Sequence, residues 1–133
     1  STLDIVVLGL SHSKPLGDAI LEGIGDHGHN LCGLTDLPQA AAWLHGAVAA
    51  IGNDSGLSHI AAACGTKTIS IFGPTDPTTF APWGPNSIVL RPDDLPCEPC
   101  YKKRLSTAQN CPLPKKECLI RTTPEQVWEH VRS

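Results

Sequence analysis

Between residues 51 and 77 the side chains able to do chemistry gather at two points: Asn53-Asp54-Ser55-Gly56 with His59, and Gly73-Pro74-Thr75-Asp76-Pro77. The first cluster follows a short apolar run and opens a stretch of small residues suited to a helix. Ser55 stands where an N-cap belongs. A helix starting at Gly56 turns its free N–H groups and positive dipole end toward the strand's carboxyl edge, and an anion fits best there. His59 lies four residues after Ser55, on the same helix face. Taken alone, it reads more often as a structural donor than as a ligand donor. Asp54 reads either as a ligand-binding acid or as a carboxylate capping the helix. The second cluster follows the β-branched, apolar run 68–72, and its prolines stiffen the loop that carries Thr75 and Asp76. Two neighbouring strand ends bearing Asp54, Ser55, Gly56, His59, Thr75 and Asp76 describe a ligand crevice in an open α/β sheet.

The elements that must position these residues alternate along the chain. Strands are expected at 4–9, 31–34, 48–51, 68–72 and 87–90. Helices are expected at 16–24, 37–45, 56–64 and 124–132. Leu16, Ile20, Leu21 and Ile24 give the first helix an apolar face, and Val127, Trp128 and Val131 do the same for the last. Thr35 or Asp36 stands near the cap of the second helix, and Gly65 closes the third. Such alternation implies an α/β fold: a Rossmann-like parallel sheet with helices on both faces.

At 133 residues the chain is read as one domain, 1–133, with a Cys- and Lys-rich segment at 91–122. A net charge of −3 gives no argument for nucleic acid or another polyanion, and no nucleic acid is expected as a partner. No apolar run approaches the roughly 18 residues that span a bilayer, and no charged-then-apolar leader is visible, so a cytoplasmic location is expected. Met is absent and a strand begins within a few residues of Ser1, so the chain is expected to be a fragment. Two short patterns are rejected. Gly-Asn-Asp-Ser-Gly at 52–56 resembles the nucleophile segment of chymotrypsin-like proteases but leads into a helix inside a βαβ pattern. Gly23, Gly25 and Gly28 follow a helix, not a strand, so dinucleotide binding is not supported.

Cys97, Cys100, Cys111 and Cys118 are spaced C-x2-C-x10-C-x6-C. Free thiols packing a loop, two disulfides and a structural metal site all remain open. Cys32 and Cys64 fall in the βα core and read as buried apolar fillers. Seven of the ten Lys and Arg lie between 91 and 121. They read as a solvated loop or as an attraction to a phosphorylated lipid acceptor or anionic membrane surface. Lys14 reads as a surface charge.

Asn53 to Pro77 and the following Ala81-Pro-Trp-Gly84 resemble the carboxyl-terminal domain of the heptosyltransferases, glycosyltransferase family 9. These enzymes move ADP-activated heptose onto the inner core of lipopolysaccharide. The resemblance takes in Leu31-Cys-Gly-Leu-Thr-Asp-Leu37 upstream. Downstream it takes in Cys97-Glu-Pro-Cys-Tyr101, Cys111-Pro112, Cys118-Leu119 and Thr123-Pro-Glu-Gln-Val127. It implies the donor-binding half of a two-domain GT-B enzyme. Asp54 would then stand beside the donor sugar, with the Ser55 and Gly56 N–H groups on the diphosphate and His59 on a phosphate or sugar oxygen. Thr35 and Leu37 would border the nucleoside, Thr35 on ribose or phosphate and Leu37 against the base, and Thr35 equally suits a helix cap. The family's catalytic base is an aspartate of the other domain, and its phosphate-binding lysine belongs to an earlier strand. The resemblance thus implies no catalytic residue in this chain, no cofactor and no metal in the reaction. The implied partners are a nucleotide-diphosphate sugar, ADP-heptose, and a lipopolysaccharide core acceptor held by the other domain, with peripheral membrane contact. The other function class is a non-catalytic nucleotide-binding or metal-stabilised interaction module.

Overall fold

Among the described residues five short strands form two parallel sheets, one in each of the two units into which the chain divides, residues 1–42 and 43–133. The computed structural model describes residues 2–97, 99–100 and 111–133. Ser1, Glu98 and residues 101–110 lie outside the described residues, and with them Tyr101, Lys102, Lys103 and Arg104 of the segments singled out above.

In the first unit β1 (Ile5–Val7) pairs in parallel with β2 (Gly28–Asn30), Ile5 opposite Gly28 and Val7 opposite Asn30. The second strand thus falls at 28–30, not at the expected 31–34. The reason sits in Gly33, whose φ of +76° is closed to a strand; a Cβ there would also lie 2.8 Å from Ser11. Helix α1 (Lys14–Ile20) starts two residues before the expected position, after a 3-10 turn at Ser11–Ser13, with Pro15 in its first turn. It ends at Ile20 because the chain then turns through Gly23 and Gly25, both at positive φ. Its close approach to β2 is made by Gly17, where a Cβ would sit 2.7 Å from the Asn30 amide. Asn30 Nδ2 in turn donates to the Lys14 carbonyl and to Asp18. Half of the expected apolar face packs: Leu21 and Ile24 are half-buried beside Gly28 of β2, whereas Leu16 and Ile20 remain exposed. Lys14 pairs with Asp18 at the surface.

Helix α2 (Leu37–His45) runs across the boundary between the units and has the expected limits. Its cap is Asp36, which accepts from the Gln39 N–H while its own N–H donates to the Gln39 side chain, a reciprocal capping box. The cap is therefore not Thr35.

In the second unit β3 (Ala50–Asn53), β4 (Thr68–Ile71) and β5 (Ser87–Leu90) lie in that order, all parallel. β3 begins two residues later than expected and leaves Val48 exposed. β4 is the central strand and the core of this unit: Thr68, Ile69 and Ser70 are buried, followed by Phe72. A strand covered on both faces favours this continuous β-branched and apolar run. Helix α3 (Gly56–Ala63) crosses from β3 to β4, burying Ala61 and Ala62 and closing at Gly65 with φ +80°. Two short helices fall within stretches read as loops, α4 (Pro77–Phe80) and α5 (Glu117–Ile120). The last helix, α6 (Pro124–Arg132), has its expected limits, a full Thr123–Gln126 capping box and a contact with β4. Trp128, expected on its packed face, is exposed.

Candidate functional site at the carboxyl ends of β3 and β4

The register pairs Asn53 with Ile71 and Ile71 with Leu90, so the three strands of the second unit end level with one another. The residues leaving the strands therefore share one edge: Asp54 after β3, the 73–76 loop after β4 and Arg91 after β5. This is the edge at which open parallel sheets bind ligands.

At the first strand end, Gly52 and Ser58 set the geometry. Ser58 is buried and its hydroxyl donates to the Asn53 carbonyl at 2.7 Å. A Cβ on Gly52 would lie 2.8 Å from that hydroxyl, so only glycine lets strand and helix approach this closely. Ser55 occupies the N-cap with extended backbone (φ −152°, ψ 162°), yet its side chain makes no capping bond. Its hydroxyl lies 3.4 Å from that of Ser58 instead. The N–H groups of the first turn are left without a side-chain cap, and beside Gly56 the space is open. An anion docked there would meet those donors and the helix dipole.

Asp54 and His59 flank this helix start. His59 Nε2 and Asp54 Oδ1 are 3.9 Å apart, too long for a hydrogen bond, with Asp54 22% and His59 47% exposed at the side chain. The helix-cap alternative for Asp54 finds no capping bond among the described contacts. Asp54, Ser55, Gly56 and His59 thus form one cluster, partly open and with hydrogen-bonding capacity to spare.

The loop after β4 is held from two sides. Asp76 is buried, 7% exposed, and caps α4 by accepting from the Thr78 N–H at 3.0 Å and the Thr78 hydroxyl at 2.8 Å. Both bonds tie the loop to the first turn of α4, and Thr75 is half-buried beside Asp76. From β5, Arg91 Nε donates to the Gly73 carbonyl at 3.1 Å. Sequence reasoning counted Arg91 only among the charges of a basic segment. Its pairing across β4 and β5 was readable only from the strand register. Thr35 and Leu37 belong to the first unit, Thr35 half-buried and Leu37 exposed at the start of α2.

Behind the same edge, Cys97, Cys100, Cys111 and Cys118 line a cavity of about 20 Å³. All four are free and half-buried. Burial pushes the Cys118 thiol up from its ordinary value; Arg91 opposes this and the other three cysteines add to it. Cys32 is buried as expected, whereas Cys64, the C-cap of α3, is only half-buried. A broader hollow of about 420 Å³ lies at the opposite edge, where Thr66 and Lys67 lead into β4. That is the amino-terminal end of the strands and not where parallel sheets bind ligands.

Residues 3–110 match the family model described as glycosyltransferase family 9 (heptosyltransferase). The chain belongs to glycosyltransferase family 9. Among curated relatives, lipooligosaccharide heptosyltransferase 2 of Campylobacter jejuni is 35% identical over 104 residues, 78% of this chain and 31% of that protein. Lipopolysaccharide heptosyltransferase 2 of Salmonella typhimurium is 29% identical over 133 residues, 97% of this chain and 36% of that protein. The solved structure of E. coli ADP-heptose lps heptosyltransferase II superposes with a TM-score of 0.73 at 25% identity, covering 97% of this chain and 35% of that one. The chain therefore spans about a third of the length of these family 9 relatives. The Rossmann-like α/β fold expected from the alternation of strands and helices is the fold found.

Proposed function

We propose that this chain is the donor-binding part of a family 9 enzyme that transfers heptose from ADP-heptose to the inner core of lipopolysaccharide. The observation that carries the reading is the start of α3 at the carboxyl end of β3. There uncapped N–H groups, open space at Gly56 and the Asp54–His59 pair stand together in a chain matched to heptosyltransferases.

In such a transfer the bond from the anomeric carbon to the diphosphate breaks with its electron pair leaving on the diphosphate. A new bond forms from the acceptor hydroxyl oxygen, and its proton passes to a base. Charge grows on the leaving diphosphate, and fixed N–H donors at a helix start stabilise that charge without reorganising. Ser55 and Gly56 supply these donors. Asp54 accepts from sugar hydroxyls, and His59 donates to a phosphate or sugar oxygen. Thr75 contributes a hydroxyl from the adjoining loop, while Asp76 acts by holding that loop in place. Thr35 and Leu37 serve the nucleoside, and the base that takes the acceptor proton comes from outside this chain. No helix among the described residues is long and apolar enough to cross a membrane. We place the enzyme in the cytoplasm, touching the membrane surface where its acceptor is carried.

The test is donor use by the complete protein with a heptose-deficient lipopolysaccharide acceptor. ADP-heptose should be consumed in preference to UDP- and GDP-sugars. Asp54→Ala should lower kcat/KM by about 100-fold or more, the loss expected when a contact to the reacting sugar disappears, with the far-UV spectrum unchanged. Preference for another nucleotide, or full activity in Asp54→Ala, overturns the reading.

A further inference from the structure

Cys97, Cys100, Cys111 and Cys118 come from separate points of a 22-residue stretch, yet all four side chains line one small cavity, with Gly73 and Arg91 on the same wall. At about 20 Å³ the void exceeds the roughly 10–15 Å³ that admits one water molecule and is far too small for an organic ligand. We propose that this four-cysteine cavity is a structural zinc site that pins the backbone at Cys97, Cys100, Cys111 and Cys118 to the carboxyl edge of β4.

The chemistry of the donor set points to zinc. Four sulfur ligands, two of them separated by two residues, suit a tetrahedral closed site with Zn–S distances of about 2.3 Å. Among the described residues no three such side chains stand at coordinating distance, so the sulfurs must draw together around the ion. Binding proceeds without any change of oxidation state: Zn²⁺ and four thiols give a tetrathiolate complex and four protons. Two disulfides from the same four thiols would instead release four electrons to an oxidant. The tetrathiolate complex carries two net negative charges, and Arg91 on the cavity wall offsets part of them. Glu117, on the same wall, is already ion-paired with Arg121.

The packing shows what the ion would secure. A Cβ on Gly73 would lie 2.5 Å from Leu119 Cδ2 and 3.4 Å from Cys118 Sγ, so α5 sits directly on the backbone that leaves β4. That backbone continues into Thr75 and Asp76. Zinc would therefore fix the start of this loop from behind, as Arg91 does from β5.

The test is the metal content of the protein purified in reductant without chelator, from zinc-supplemented cells, by inductively coupled plasma mass spectrometry. About one zinc per chain is expected, falling at least tenfold in Cys100→Ser/Cys118→Ser. Because that variant is open to misfolding, the unsubstituted protein is also stripped and given Co²⁺. Thiolate-to-cobalt charge-transfer bands and intense tetrahedral d–d bands are expected. Three outcomes overturn the proposal: no zinc and no cobalt bands, disulfides among these four residues by mass spectrometry after alkylation, or zinc retained in full by the double variant.

Discussion

At Gly52 a hydrogen atom in place of a methyl group decides how closely β3 and α3 approach. Ser58 needs that room to reach the Asn53 carbonyl, and the bond fixes the peptide that leads into Asp54. Gly52→Ala should destabilise the protein by about 1–3 kcal/mol, the range for forcing an extra methyl group into packed surroundings. Ser58→Ala should cost about 1 kcal/mol for the lost hydrogen bond. The double variant should lose less than the sum, because removing the hydroxyl also removes the clash. Urea unfolding of the four proteins measures this. Strict additivity would mean that the Cβ–Oγ contact is not what penalises alanine at 52.

Helix α4 is a single turn of Pro-Thr-Thr-Phe capped by one side chain, that of Asp76. So short a helix has almost no stability of its own. Pro77 sets the first φ, and Asp76 supplies both bonds that tie Thr78 to the turn. Asp76→Ala should therefore release the turn, at a cost of about 1 kcal/mol for the cap, and speed hydrogen exchange at the Thr79 and Phe80 amides. Those amides donate to the Asp76 carbonyl, which the substitution keeps. Unchanged exchange there would show that Pro77 and the backbone hold the turn without the carboxylate. The sequence could not announce this helix, because Gly-Pro-Thr-Asp-Pro carries the same signals as an open turn. Elements bounded by strong local signals were legible to the residue: Asp36 and Gln39 mark the start of α2, Thr123 and Gln126 that of α6. Where a limit depended on one backbone angle, as at Gly33, or on which residues pair across strands, as at β3, the apolar pattern alone misplaced it by two or three residues. The candidate site was legible at Asp54, Ser55, Gly56 and His59 because a cap, a glycine and a helix face are local facts. Arg91 was not, since its bond to Gly73 arises from the level ends of β4 and β5, and neither was the burial of Asp76.

Across the whole molecule, burial is unevenly shared between the two units. In the second, β4 is paired on both sides, and Thr68, Ile69 and Ser70 lose nearly all exposure. In the first, β1 and β2 pair only with each other among the described residues, and Ile5 and His29 stay exposed. A two-stranded sheet is marginal in water, and amide protection rises with buried apolar contact. Native-state hydrogen exchange on this chain should therefore find the Ile69 and Ser70 amides among the slowest, opening only with global unfolding. The Leu31 amide, although bonded to the Val7 carbonyl at 2.9 Å, should exchange at least tenfold faster. Low denaturant should bring the two rates together, because opening of β1 and β2 exposes little surface and responds weakly to urea, whereas opening of β4 responds with the full slope of unfolding. Equal rates and equal urea dependence in both sheets would mean that the units unfold as one. The site at α3 would then share its stability with the whole chain rather than with β3, β4 and β5.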